Sequence, residues 1–293
     1  MKISRREVLS KLAAGIALTA IPYNLTEGFV KHEKFMKNNI TGKINHSACR
    51  WCYQDIPLEM LCEEGKKFGL SSIDLVGPKD WPVLKKYGLT CAMGNGAELG
   101  IAKGWNNPVY HAELIKNYQE IIPVAASEGI KNIICLSGNR EGIDDETGLE
   151  KCVKGLKKIT GQAEKNGVTL VMELLNSKVD HKDYQCDHTA WGVELCKRIS
   201  SPNFMLLYDI YHMQIMEGDV IRTIKENYQY IAHYHTGGVP GRHEIDETQE
   251  LYYPAIMKAI LETGFSGFVA QEFIPTSENK LSSLKKCIEI CNV

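Results

Sequence analysis

The sequence predicts an α/β fold, a single-domain (β/α)₈ TIM barrel over residues 43–293. The first observation behind this prediction is size and composition, because 293 residues with 44% hydrophobic and 24% charged residues suffice for one barrel-sized core. The second is a repeated unit in which a charged helix ends at a glycine and an apolar strand follows. The alternative is an open doubly wound sheet, but no G-x-G-x-x-G fingerprint follows the first strand.

The repeated unit occurs five times. Glycine readily adopts the left-handed conformation that ends helices, and a continuous apolar run is typical of a strand buried on both faces of a parallel sheet. The pairs of helix-ending glycine and predicted strand are Gly69 with residues 72–76, Gly88 with 89–93, Gly129 with 132–136, Gly167 with 168–172, and Gly264 with 267–270.

Three further apolar runs, at residues 43–49, 204–208 and 230–235, complete a set of eight strands. The segments between strands include amphipathic helices, such as one that places Cys152 and Leu156 on a single apolar face. Eight alternations of strand and helix favour a closed barrel. In such a barrel the functional site lies at the C-terminal ends of the strands.

Residues 1–25 are predicted to be a twin-arginine-like export signal. The segment SRREVL at residues 4–9 precedes an apolar stretch, residues 12–21, that is too short to span a bilayer. The alternative is an ordinary N-terminal helix. Residues 26–42 are predicted to be a linker to the barrel. We therefore expect a periplasmic or otherwise exported protein, or a cytoplasmic one if the leader is not functional, with no stable membrane span.

Charge and cysteine content restrict the function classes. The net charge of −2 and the pI near 6.5 give no electrostatic reason to expect nucleic-acid binding and favour a small neutral or anionic substrate. The ten cysteines are scattered through predicted strands and helices, which is typical of core residues and leaves their redox state open. Cys49 and Cys52 have the spacing of a redox or zinc pair, but no second such pair accompanies them. A homo-oligomer also remains open.

Each of the last four predicted strands has one potential metal ligand at or just beyond its C-terminal end. These residues are Glu173, Asp209, His235 and Glu272. Because a barrel directs such side chains toward one central point, we expect them to converge. Burying three carboxylates together without a cation is unfavourable, since like charges oppose joint ionisation. Three carboxylates and one imidazole suit one divalent metal ion, Mn²⁺, Mg²⁺, Co²⁺ or Zn²⁺.

Three motifs carry a resemblance to a known family: MELLN at residues 172–176, YDIYHMQ at 208–214 and GVPGRHE at 238–244. With them the chain resembles the xylose-isomerase-like TIM barrel superfamily of sugar phosphate isomerases and epimerases, most closely its hydroxypyruvate isomerase branch. The resemblance implies that Glu173 and Glu272 are both metal ligands and the catalytic acid/base pair. It also implies that Asp209 and His235 complete the coordination and that His212 contacts a substrate oxygen.

One departure from that branch concerns the substrate. His235 stands where the hydroxypyruvate isomerase branch commonly has glutamine. The ketose epimerases of the same superfamily have histidine at this position. Arg242 follows the seventh strand, where a guanidinium would hold a substrate carboxylate through two hydrogen bonds. Glu244 and His46 are further substrate-binding candidates, and for each the alternative is a structural role in the loop or the core.

The chemistry of the four residues predicts an isomerase. Moving a carbonyl between adjacent carbons requires removal of a C–H proton through an enediolate, which a divalent ion stabilises while two carboxylates carry the proton. Conversion of hydroxypyruvate to tartronate semialdehyde is the leading prediction, and a ketose 3-epimerase or other sugar isomerase is the alternative. A non-catalytic secreted sugar-binding protein is an alternative of a different class. A DNA-damage endonuclease would need more metal ligands and a basic groove.

Overall fold

The structure, a computed structural model, describes residues 44–293. The predicted export signal, residues 1–25, and the predicted linker, residues 26–42, lie outside this range and stay predictions. Within residues 44–293 no helix is both long enough and apolar enough to cross a membrane.

Six strands form one sheet in the order β1-β6-β5-β4-β3-β2, and every neighbouring pair is parallel. Most strand residues are buried, as expected for apolar strands covered by helices on one side and facing a barrel core on the other. The strands are β1 Asn45–Ala48, β2 Asn132–Cys135, β3 Thr169–Glu173, β4 Phe204–Asp209, β5 Ile231–Thr236 and β6 Phe268–Gln271.

Two further segments, residues 70–76 and 90–94, close the barrel between β1 and β2. They pair through single parallel bridges rather than continuous ladders, which differs from the regular strands predicted at 72–76 and 89–93. Leu75 has a φ of 57°, which interrupts the extended backbone of the first segment. Because these bridges connect β1 to β2, the closed (β/α)₈ barrel predicted from the sequence is confirmed.

Helices cover the outside of the barrel. Gly69, Gly129 and Gly167 each end a helix with a left-handed φ, of 104°, 77° and 62°, as the repeated unit predicts. The helices are α1 Leu58–Phe68, α2 Trp81–Lys86, α3 His111–Glu128, α4 Asp145–Asn166, α5 Thr189–Ile199, α6 Ile210–Met216, α7 Val220–Asn227, α8 Tyr253–Glu262 and α9 Lys280–Cys291.

All ten cysteines are buried and free of disulfides, which confirms their interpretation as core residues. Cys135 in β2 and Cys152 in α4, for example, belong to the same hydrophobic core. Burial raises the pKa of both thiols, and this keeps them in the protonated, unreactive form.

Candidate metal centre

The strands bring the four predicted metal ligands together. Glu173 ends β3, Asp209 ends β4, His235 lies near the end of β5, and Glu272 directly follows β6. One donor atom from each residue lies within 4.8 Å of the donor atoms of the other three. Nδ1 of His235 is 2.8 Å from Oε2 of Glu272 and 3.5 Å from Oε1 of Glu173. The predicted convergence is therefore present in the structure.

Arg242 supplies positive charge to this cluster. Its Nη2 is 2.7 Å from Oε2 of Glu272 and 3.3 Å from Oδ2 of Asp209. The guanidinium also lies over two aromatic rings, 5.1 Å from the centroid of Trp51 and 5.3 Å from that of Tyr211. Arg242 has a left-handed φ of 59°, so the backbone of its loop is held in an uncommon conformation that directs the side chain to the site.

The electrostatics of the cluster show an excess of buried carboxylate. Burial raises the pKa of Glu173 and of Asp209, and the neighbouring charge of Glu272 raises both further. Burial acts in the same direction on Glu272, but His235 and Arg242 outweigh it and hold its pKa well below the usual range. Two of the three carboxyl groups therefore resist ionisation in the absence of an additional cation.

His212 borders the cluster from the first turn of α6. It is fully buried, and its Nε2 has no hydrogen-bond partner among residues 44–293, although it lies 3.5 Å from Oδ2 of Asp209. Its Nδ1 is 2.6 Å from Nδ2 of Asn176. Burial lowers the pKa of His212 well below its ordinary value, so the ring is neutral. A buried ring nitrogen without a partner, aimed at the site, is suited to a substrate or ligand oxygen.

The other two predicted substrate-binding residues are not brought to the cluster. His46 is buried in β1, where its Nε2 is 2.9 Å from Oδ1 of Asn292 near the end of the chain. Glu244 accepts hydrogen bonds from the backbone N–H and hydroxyl of Thr276, both at 2.9 Å, and from the hydroxyl of Ser283. Its carboxylate therefore joins the loop after β5 to α9 and to the segment before it, and we assign it no contact with the site.

A cavity of about 380 Å³ opens beside the cluster. Glu173, Glu272 and Arg242 form one side of it, and the indole N–H of Trp51 donates a hydrogen bond of 2.7 Å to Oε1 of Glu272. His181 lines the same cavity and packs against His212. The remaining lining residues are mostly apolar and include Leu75, Ile101, Ile134, Leu136 and Leu175.

Two buried polar residues close to the cluster, Asp74 and His233, escaped the sequence analysis. Both are fully buried, and Nε2 of His233 lies 2.5 Å from Oδ2 of Asp74, directly below His235 in the barrel interior. Burial opposes ionisation of Asp74, but His233 and His235 outweigh it and lower the pKa of its carboxyl. The available signal was an aspartate in the middle of an apolar strand, together with a histidine two residues before His235.

The spacing of Cys49 and Cys52 does not lead to a metal or redox pair. Cys49 approaches His235, with Sγ 3.7 Å from Nε2, but burial raises the pKa of both thiols well above the ordinary value. Cys52 belongs to none of the candidate metal-binding groups within residues 44–293. Three groups of buried side chains within residues 44–293 place their donor atoms close enough for a cation: Cys49, His235 and Glu272; Asp74, His233 and His235; and Glu173, Asp209, His235 and Glu272. The four predicted residues fit a divalent cation best, because they offer four donors and bury an excess of negative charge.

Comparisons with known proteins give the following matches. A family model described as Xylose isomerase-like TIM barrel matches residues 82–291. The 2-oxo-tetronate isomerase of Cupriavidus necator is 34% identical over 113 residues, which are 39% of this chain and 43% of that protein. A Danio rerio protein whose name places it with the hydroxypyruvate isomerases is 29% identical over 136 residues, 46% of this chain and 49% of that protein. This chain thus spans about half the length of these relatives.

A solved structure matches over a longer part of the chain. The crystal structure of AP endonuclease, family 2, from Brucella melitensis has a TM-score of 0.74 and 24% sequence identity. The match covers 82% of this chain and 96% of that one. At this level of identity the likeness shows the barrel fold alone.

Proposed function

The chain belongs to the xylose isomerase-like TIM barrel family, and from this membership we propose that it is a metal-dependent isomerase of small hydroxy-carbonyl compounds. The observation that carries the proposal is the cluster of Glu173, Asp209, His235 and Glu272 beside a cavity of about 380 Å³. The names of the two relatives support a 2-oxo acid with a hydroxyl group next to its carbonyl, such as hydroxypyruvate or 2-oxo-tetronate, as the proposed substrate.

The four residues would hold one divalent ion, Mn²⁺, Mg²⁺, Co²⁺ or Zn²⁺, whose Lewis acidity would draw electron density from adjacent carbonyl and hydroxyl oxygens of a substrate. Glu173 and Glu272 both line the cavity, and we assign them the removal and return of the C–H proton. The indole N–H of Trp51 fixes the orientation of Glu272. His212 offers its unpartnered Nε2 to a substrate oxygen.

Arg242 would bind the carboxylate of a 2-oxo acid. Its guanidinium lines the cavity, and a planar guanidinium matches a carboxylate through two parallel hydrogen bonds. In the structure the same group already contacts Asp209 and Glu272. Once a cation neutralises these two carboxylates, the guanidinium has hydrogen-bonding capacity for a substrate anion.

A ketose 3-epimerase or other sugar isomerase is the second candidate. The volume of the cavity, about 380 Å³, exceeds the needs of a three-carbon acid and accommodates a longer polyhydroxy chain. The same proton transfer at a carbon next to a carbonyl would then invert that carbon. A non-catalytic sugar-binding protein is a weaker candidate, because binding alone does not require two facing carboxylates.

The test is proton exchange in D₂O. The full chain with Mn²⁺ is incubated in separate samples with hydroxypyruvate, with 2-oxo-tetronate and with each of a panel of ketoses. Deuterium incorporation at the carbon next to the carbonyl is followed by NMR. Exchange and isomerisation of the 2-oxo acids supports the proposal, and exchange confined to ketoses moves the assignment to the second candidate. Metal binding without exchange on any of these compounds would contradict an isomerase of this substrate class.

A further inference from the structure

Strand β5 places two histidines on the same side of the sheet. His233 and His235 are two residues apart, so both side chains point into the barrel interior, and their ring centroids are 5.1 Å apart. Both rings are fully buried. His235 belongs to the proposed metal centre, whereas His233 lies one layer deeper and contacts none of the other three predicted ligands.

Asp74, in the bridge segment 70–76, lies between these histidines and β1. Its Oδ1 accepts hydrogen bonds from the hydroxyl of Ser47, at 2.5 Å, and from that of Ser72, at 3.3 Å. Its Oδ2 lies 2.5 Å from Nε2 of His233 and 3.5 Å from Nε2 of His235. Both oxygens are thus surrounded by donors, which fixes the carboxylate in one orientation with Oδ2 facing the two rings.

The two nitrogens of His235 have different surroundings. Nδ1 faces the carboxylates of Glu173 and Glu272, and Nε2 faces Asp74 and Sγ of Cys49, at 3.7 Å. A neutral imidazole can bind a metal ion only through the nitrogen that carries no proton. The carboxylate on the other side of the ring therefore decides which nitrogen is available.

We propose that Asp74 is a positioning residue that keeps a proton on Nε2 of His235, so that Nδ1 presents its lone pair to the cluster. This inference rests on the metal centre proposed above. Asp74 does not line the cavity, and its polar side-chain contacts within residues 44–293 are with Ser47, Ser72, His233 and His235. His235 is the one of these residues that belongs to the proposed metal centre, so Asp74 acts on the centre through His235. His233 and the two serines hold Asp74 for this purpose. Partners of this kind commonly change metal affinity by about 10- to 100-fold when removed.

The first test uses the wild-type full chain, labelled with ¹⁵N-histidine and loaded with diamagnetic Zn²⁺. Long-range ¹H–¹⁵N NMR reports the protonation of each ring nitrogen, and loss of a signal set in the His235→Gln variant identifies His235. The proposal predicts a protonated Nε2 and a zinc-shifted Nδ1. Zinc on Nε2, or a proton on Nδ1, would overturn it.

The second test measures the affinity of Asp74→Asn for Zn²⁺ by calorimetry. We expect its Kd to rise by about 10- to 100-fold relative to the wild type. Asp187→Asn is the matched control, because Asp187 is also buried and lies 2.8 Å from a histidine nitrogen, Nδ1 of His188, but has no contact with the cluster. Its Kd should stay within about twofold of the wild type.

Several results would refute the proposal. These are an unchanged Kd in a folded Asp74→Asn variant, an equal rise in Asp187→Asn, or binding of a second Zn²⁺ ion at Asp74, His233 and His235. If Asp74→Asn does not fold, the wild-type NMR measurement can still overturn the proposal by showing zinc on Nε2, and the Kd of Asp74→Glu, which keeps the carboxylate and should stay close to that of the wild type, is measured against that of Asp74→Ser, which lacks it. Failure of the wild type to bind Zn²⁺ contradicts the metal centre itself, whereas Zn²⁺ binding through Nε2 contradicts only the role of Asp74.

Discussion

Substitution of Glu173 by glutamine should weaken metal binding while leaving the stability of the metal-free protein nearly unchanged. Among residues 44–293 the carboxyl group of Glu173 has one polar side-chain contact, with Nδ1 of His235 at 3.5 Å, and burial already raises its pKa. Glutamine has nearly the same shape. We therefore expect the free energy of unfolding without metal to change by less than about 1 kcal/mol.

The same substitution should strongly weaken metal binding. Two unit charges 4 Å apart attract by roughly 4 kcal/mol at an effective dielectric constant of 20, and part of this is recovered when water replaces the lost ligand. A loss of about 3 kcal/mol corresponds to a roughly 100-fold higher Kd. At a Mn²⁺ concentration of 100 times the wild-type Kd, the wild type should gain about 2.7 kcal/mol of stability and the variant about 0.4 kcal/mol.

The assay is thermal and urea unfolding of wild type and Glu173→Gln, each with and without Mn²⁺, supported by calorimetric titration. Glu244→Gln is the matched control, since Glu244 is a buried glutamate outside the cluster. The reasoning is refuted if Glu173→Gln retains a Mn²⁺ Kd within threefold of the wild type. It is also refuted if the free energy of unfolding of the metal-free variant is several kcal/mol lower than that of the wild type, because the glutamate would then be required for folding.

Three other substitutions give further tests. Glu244→Gln should lower the free energy of unfolding at pH 7 by about 2 kcal/mol, because charge-assisted hydrogen bonds to Thr276 and Ser283 are weakened, with little change in Mn²⁺ affinity. Burial opposes ionisation of Glu244, but hydrogen bonds to its carboxylate outweigh burial and lower its pKa below the ordinary value for a glutamate. The stabilisation by Glu244 is therefore fully present above the ordinary pKa and is lost as the pH falls through the lowered pKa. The difference in urea midpoint between variant and wild type should accordingly shrink from pH 5 to pH 3, and a constant difference would contradict this. Trp51→Phe removes the N–H bound to Glu272 and should lower kcat about tenfold with Mn²⁺ affinity retained, and an unchanged kcat in steady-state assays would exclude this contact from catalysis. Arg242→Lys should raise KM about tenfold for a 2-oxo acid and little for a neutral ketose, and equal effects on both substrates would remove Arg242 from carboxylate recognition.

The barrel and the convergence of the four proposed ligands could be predicted because each follows from local sequence. Glu173, Asp209 and Glu272 come directly after apolar runs, and parallel strands place such positions at the same end of the barrel. The sequence correctly predicts the positions of the extended segments at 72–76 and 89–93. It does not predict that these segments pair through single bridges rather than continuous ladders. The left-handed φ of Leu75 depends on packing that an apolar run does not reveal.

Other parts of the site depend on contacts between distant segments. Asp74 occupies the middle of an apolar run, and only closure of the barrel brings it to His233, 159 positions later in the chain. Glu244 lies two residues after Arg242, yet the loop turns its carboxylate toward Thr276 and Ser283 while the guanidinium enters the site. Sequence spacing gives no information about which way such a loop turns.

The most direct test of the metal centre is a crystal structure of the protein with Zn²⁺, with diffraction recorded on both sides of the zinc absorption edge. The account predicts one anomalous peak at about 2.0–2.2 Å from oxygens of Glu173, Asp209 and Glu272 and from Nδ1 of His235. A peak at other residues, or the absence of a peak with Arg242 still bound to Asp209 and Glu272 at saturating Zn²⁺, would contradict it.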